Sequence, residues 1–222
     1  MDATHSPGVS AGRSRAWTWS SLAVVAALVF AYLALVGRGR TAPGTQGPAI
    51  GRKLPYLELQ PLTGDAQWVS LRDLAGHVSV VNYWGTWCPP CRAEFPHIVE
   101  LASQFAGQKD FKLLAVSCGS EGSDAQLDEL REETQSFLKS KGVTLPTYAD
   151  QHAASRRELA RVLQLDFGYP TTLILDRQGI IRGFWEGYSS GTEVEMSDLV
   201  QQLLDEPAIV GEAQSVDRAI GS

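Results

Sequence analysis

Two cysteines stand two residues apart in Trp87-Cys88-Pro89-Pro90-Cys91. That spacing lets the two sulfurs close a small disulfide ring, and it is equally the spacing of half a zinc site. The flanking residues bear on the choice. Residues 77–84, His-Val-Ser-Val-Val-Asn-Tyr-Trp, are an apolar, β-branched run that predicts a buried strand. After the motif, Phe95, Ile98, Val99, Ala102 and Phe105 recur at helical spacing. The pair therefore falls at a strand-to-helix junction, with Cys88 at the helix N-terminus. There the free N–H groups and the partial positive charge stabilise a thiolate, the attacking species in disulfide exchange. Cys91 lies one turn on, placed to resolve a mixed disulfide. A four-cysteine zinc site needs a second pair, and the chain holds only Cys118 besides. A purely structural pair of thiols is the other alternative. Pro89 and Pro90 carry no N–H, so only the amides of Cys91 and beyond reach the Cys88 sulfur. This predicts moderate acidification of Cys88.

The elements that must position this pair follow along the chain. Residues 1–15 are polar and read as a disordered N-terminus. Residues 16–36 contain no charge. At about 1.5 Å per residue they are long enough to cross a hydrocarbon core of about 30 Å. Trp17, Trp19 and Tyr32 suit the membrane interfaces. A cleaved signal peptide is the competing reading, but Gly37-Arg38-Gly39-Arg40 is a flank rather than a cleavage site. We read a retained transmembrane anchor at 16–36 and a Pro/Gly-containing linker at 37–51. A folded domain at 52–205 and a frayed tail at 206–222 follow.

Within the domain, residues 56–59 and 68–71 predict a hairpin around Thr63-Gly64-Asp65. Strands are expected at 77–84, 111–118, 145–148, 171–175 and 180–186. Helices are expected after the cysteines, with a kink at Pro96, and at 123–141, 153–163 and 192–204. Ser123 and Gly142 are the expected caps of the second helix. Strand–helix–strand followed by a hairpin and a helix predicts an α/β fold, a mixed central sheet with helices on both faces. Net charge is −6 over 222 residues. Arg13, Arg15, Arg38, Arg40 and Asp2 lie in the first 40 residues, which leaves 15 basic and 24 acidic side chains, or −9. So acidic a domain is a poor binder of nucleic acid.

Residues 81–96, Val-Asn-Tyr-Trp-Gly-Thr-Trp-Cys-Pro-Pro-Cys-Arg-Ala-Glu-Phe-Pro, resemble the active-site segment of the TlpA/ResA-like thioredoxins. Residues 168–179, Gly-Tyr-Pro-Thr-Thr-Leu-Ile-Leu-Asp-Arg-Gln-Gly, resemble that family's cis-proline loop with the strand and turn after it. The resemblance spans residues 48–205. It implies a thioredoxin-like fold with an N-terminal β-hairpin and a helical insertion in the 119–163 stretch. It also implies a thiol–disulfide oxidoreductase without an organic cofactor, anchored so that its domain lies outside the cytoplasmic membrane.

The resemblance further implies site roles. Cys88 is the nucleophile and Cys91 the resolving thiol. Glu94 tunes the cysteines and carries a proton, where the residues alone leave a solvated surface acid as the alternative. Thioredoxin has a buried aspartate where this chain has Asn82, and an amide cannot take that proton. Pro170 follows a cis peptide bond, where the residues alone leave an ordinary turn proline as the alternative, and its loop blocks metal capture and offers the Tyr169 backbone to an extended substrate segment. Trp87 and Pro89 complete the substrate-binding set, and Trp84 reads equally as core. Cys118 ends a strand and reads as a buried thiol, with a third redox cysteine as the alternative. His77, His97 and His152 show no ligand spacing.

The implied partners are disulfide-bearing protein substrates and a transmembrane thiol donor, with apocytochrome c maturation among the implied settings. The domain is expected to be monomeric. Two rivals belong to other classes. A thiol peroxidase uses a threonine three residues before its cysteine, where this chain has Gly85, and Thr86 is one residue too close. A copper-binding chaperone uses two cysteines and a histidine, with its cysteines spaced by three. An oxidase would use the same residues as a reductase.

Overall fold

Val78–Trp84 contains no charged residue, and every one of its seven residues is buried in the strand β3. A strand covered on both faces needs apolar side chains at odd and even positions alike. The computed structural model describes residues 43–120, 126–164 and 166–207. The expected anchor at 16–36 lies outside the described residues, as does nearly all of the expected tail. Among the described residues no helix is long and apolar enough to cross a membrane.

The predicted hairpin forms as β1 (Glu58–Thr63) and β2 (Val69–Ser70), with Glu58 opposite Ser70 and Leu59 opposite Val69. β1 starts two residues later than expected and runs four further, through Thr63 of the expected turn, because its second half pairs antiparallel with β5 (Thr147–Ala149). β3 pairs parallel with β4 (Phe111–Ser117) and antiparallel with β6 (Thr171–Leu175), which forms a hairpin with β7 (Ile181–Glu186). Among the described residues these make one mixed sheet in the order β2-β1-β5-β4-β3-β6-β7.

The pleat of β3 sorts the two layers. Val78 and Val80 pack with Leu101 of α1 (Pro89–Gln104), with Phe105 at its C-cap, and with Met196, Leu199, Val200 and Leu203 of α4 (Thr192–Asp205). Val81 and Tyr83 point the other way, to Leu159 and Leu163 of α3 (Ala154–Leu163) and to Leu54 and Leu57 ahead of β1. Ala115 of β4 and Trp84 of β3 carry Leu138 of α2 (Leu127–Lys141) on the same side as α1. Helices therefore cover both faces, as the alternation of strand and helix predicts.

α1 continues through Pro96. The missing N–H leaves the Arg92 carbonyl without its usual intrahelical donor. α2 starts later than predicted, at Leu127, with Gln126 at its cap, while Ser123 lies outside the described residues. Its other end is as expected: Gly142 takes the left-handed conformation, φ 65°, that closes a helix C-terminus. Glu206, the first residue of the expected tail, is held. It pairs with Arg182 at 3.0 Å, and its carbonyl, with those of Leu203 and Leu204, accepts from Arg177. These guanidinium bonds satisfy carbonyls at the end of α4.

Candidate active site

Cys88 caps α1 in an extended conformation, φ −88° and ψ 112°, and Pro89 and Pro90 fill the first two helical positions. Proline suits that place because the N–H it lacks would have no intrahelical partner. Cys88 and Cys91 are joined in a disulfide, S–S 2.09 Å, and the Cys91 amide donates to the Cys88 sulfur at 3.2 Å. The first amide to reach that sulfur is thus the one the two prolines leave available. Both cysteines are buried.

The two tryptophans of the motif part company. Trp84 is core, its ring tilted against Phe95 at 4.7 Å and 5.3 Å from Phe137. Trp87 is 42 % exposed beside the disulfide. Its indole Nε1 donates to the Cys118 carbonyl at 2.9 Å, which lays the ring over Gly85. A Cβ at residue 85 would come within 2.4 Å of that nitrogen and 2.9 Å of the Cys118 carbonyl oxygen. The place where a peroxidase has its threonine is therefore filled here by an indole. Cys118 itself is buried at the end of β4.

The Tyr169–Pro170 bond is cis. The Pro170 carbonyl accepts from the Gly187 amide at 2.7 Å, tying the loop to the end of β7. The Tyr169 ring meets Trp87 edge-on at 5.4 Å, so the loop and the cysteine motif share one surface.

Glu94 does not face solvent. It is 2 % exposed, on the side of α1 that lies against the sheet. Asn82 of β3 donates from one amide nitrogen to Glu94 Oε2 and to Thr172 Oγ1, each at 2.8 Å, and Thr172 donates to Glu94 Oε1 at 3.4 Å. The register places Asn82 opposite Thr172, which is why the three side chains meet. Burial pushes the Glu94 carboxyl up to about 7, against the two hydrogen bonds that favour its charged form. A cavity of about 10 Å³ lies beside it, lined also by His97, Tyr188 and Glu193. A carboxyl that changes charge near neutrality, one turn beyond the second cysteine, can take and return a proton. Asn82 cannot, and instead holds the group that can.

Thr172 was not singled out in the sequence, nor were Arg156, which reaches the site from α3, and Asp150, which lies ahead of that helix and pairs with Arg156. Thr172 stands two residues past Pro170, and the β3–β6 pairing was the signal that it faces Asn82. Arg156 donates to the Tyr169 hydroxyl at 2.9 Å, a contact that sequence spacing does not disclose.

A family model described as the AhpC/TSA family matches residues 50–184. Thioredoxin-like protein YneN of Bacillus subtilis is 28% identical over 148 residues, covering 65% of this chain and 76% of that protein. Thiol:disulfide interchange protein DsbE of Pseudomonas aeruginosa is 29% identical over 165 residues, covering 71% of this chain and 79% of that protein. The crystal structure of a thiol:disulfide interchange protein of the thioredoxin family from Chlorobium tepidum superposes with a TM-score of 0.52 at 23% identity, covering 70% of this chain and 98% of that one. That likeness shows a thioredoxin-like fold.

Proposed function

Because the chain belongs to the AhpC/TSA family and is a thioredoxin-like thiol–disulfide oxidoreductase, we propose that it reduces protein disulfides outside the cytoplasmic membrane through Cys88 and Cys91. The observation that carries this reading is the Cys88–Cys91 disulfide at the start of α1, with the buried Glu94 carboxyl, raised to about 7, one turn further on. In the dithiol form the Cys88 thiolate attacks one sulfur of a substrate disulfide. A mixed disulfide forms, and the other substrate sulfur leaves as a thiolate that takes up a proton. Glu94, as carboxylate, accepts the proton of Cys91. The Cys91 sulfur then attacks the Cys88 sulfur, closing the ring and releasing the second substrate thiol. The substrate leaves with two electrons and two protons more than it brought, and the protein ends as the disulfide.

Trp87, Pro89, Tyr169 and Pro170 form the receiving surface in this reading, with the backbone at Tyr169 pairing to an extended segment of substrate. The disulfide is returned to dithiol by a transmembrane thiol donor. Residues 16–36 tether the domain, and apocytochrome c is a substrate suited to this setting. The name of the interchange protein from Pseudomonas aeruginosa supports exchange on disulfide-bearing partners. The indole over Gly85 speaks against the peroxidase alternative.

The reduction potential of the Cys88–Cys91 couple tests the direction. A value near thioredoxin's, about −270 mV, is expected for an electron donor. A value near DsbA's, about −120 mV, would make the protein an oxidant and remove the reductase reading.

A further inference from the structure

α3 lies on the sheet face away from α1, yet one side chain of its first turn reaches the active-site surface. Arg156 Nη1 donates to the Tyr169 hydroxyl at 2.9 Å, and the guanidinium lies 5.9 Å from the centre of the Tyr169 ring. Arg156 Nε pairs with Asp150 Oδ2 at 3.3 Å, with the two side chains 5 % and 0 % exposed. Asp150 also accepts from the amides of Ser155 and Arg156, at 2.9 and 3.0 Å. Its carboxylate thus serves the first turn of α3, where N–H groups lack helical partners.

Two features mark this pair as more than packing. A buried ion pair is costly to desolvate, and apolar residues of the same volume often stabilise as well. No step of the proposed exchange uses either charge. The backbone between Asp150 and α3 is also strained: His152 and Ala153, neither of them glycine, sit at φ 55° and 54°. Such conformations persist where the surroundings over-determine them, and they concentrate at functional sites. Here the strained turn sets Asp150 beneath the start of α3, which aims Arg156 at Tyr169. Beyond Tyr169 lie the Trp87 ring, edge-on at 5.4 Å, and the peptide bond to Pro170.

We propose that Asp150 and Arg156 are positioning residues for substrate selection. They hold the Tyr169 side chain, and through it the Trp87 ring and the backbone before Pro170, in the shape that receives a polypeptide bearing the target disulfide. This deepens the reductase reading and rests on it. A small disulfide needs only the Cys88 sulfur, whereas a polypeptide disulfide needs the surface as well. The pair therefore acts on polypeptide binding and leaves sulfur chemistry alone.

The test is single-turnover oxidation of the reduced full-length protein, in detergent, by insulin and by dithiobis-nitrobenzoate. Arg156→Gln deletes the bond to Tyr169 and leaves Asp150 its two backbone donors. The half-saturating insulin concentration is expected to rise about tenfold, the loss of one hydrogen bond to a charged group. The limiting rate, the rate with dithiobis-nitrobenzoate and the reduction potential are expected to stay as in the wild type. Equal losses with both oxidants, a shifted potential, or an unchanged insulin dependence in the folded variant would each overturn the proposal. If Arg156→Gln does not fold, Tyr169→Phe decides, because it keeps the ion pair and removes only the hydroxyl. It should raise the half-saturating insulin concentration, and no rise overturns the proposal. A wild-type protein that insulin does not oxidise removes the reductase reading instead. Positioning is then read from the Trp87 indole N–H resonance, which moves in Arg156→Gln if Arg156 sets the ring and stays put if it does not.

Discussion

At Glu94 the cost of burying a charge raises the carboxyl into the neutral range. Its carboxyl in the disulfide form holds a proton up to about pH 7, while in the unfolded chain it would lose it near the ordinary carboxylate value. A carboxyl raised in this way stabilises the fold fully below the unfolded value, and that contribution is lost as pH rises through about 7. The shift corresponds to about 3 kcal/mol. Unfolding free energy of the oxidised wild type should therefore fall by about that much more than that of Glu94→Gln between about pH 4 and pH 8. Disulfide exchange should rise through about pH 7 as the carboxylate forms, and this inflection should vanish in the glutamine variant. Superimposable pH–rate profiles would show that Glu94 takes no proton from Cys91. The sequence placed Glu94 one turn past Cys91 but left surface and site readings both open. Arg92, Ala93 and Glu94 carry no sign of which face α1 presses on the sheet. Asn82 was legible as a residue unable to accept a proton. Its two donor bonds were not, because Glu94 and Thr172 are 12 and 90 residues away.

At the level of elements, the active surface is where the start of α1, the end of β4 and the loop before β6 converge. Trp87 links all three, through the Cys118 carbonyl and the Tyr169 ring. Its place over Gly85 depends on the absence of a side chain there. Gly85→Ala would bring a methyl group to 2.4 Å from the indole nitrogen and 2.9 Å from the Cys118 carbonyl. The ring must leave its carbonyl, and we expect a loss of about 1–3 kcal/mol from crowding and the broken hydrogen bond. A lowered urea midpoint with a red-shifted tryptophan emission would report it. Unaltered emission and midpoint would mean that the ring is not held as described. The elements themselves were largely readable, since β3, β4, β6, β7 and α4 carry unbroken apolar or periodic patterns. The end of β1 was read too early because its second half gains its partner only from β5, a contact between Gln60–Thr63 and Thr147–Ala149.

For the whole molecule, the proposed topology makes a prediction in cells. After reduction, a membrane-impermeant maleimide added to intact cells should modify Cys88, and the protein should sediment with membranes. Labelling of Cys88 only after lysis would place the domain on the other side and end the extracytoplasmic reading.

What the sequence determined by itself is local: a cysteine pair at a strand-to-helix junction, a proline-filled first turn that leaves Cys91 as the first amide donor, and the order of strands and helices. Spacing and periodicity act over a few residues, so they can be read along the chain. Tertiary structure alone decided which polar residues are buried and which groups they meet. Glu94 became a buried carboxyl, Trp84 core and Trp87 surface, and Arg156 a donor to the Tyr169 hydroxyl only when the sheet closed. Desolvation and pairing depend on what packs from distant parts of the chain, and no short window of sequence carries that information.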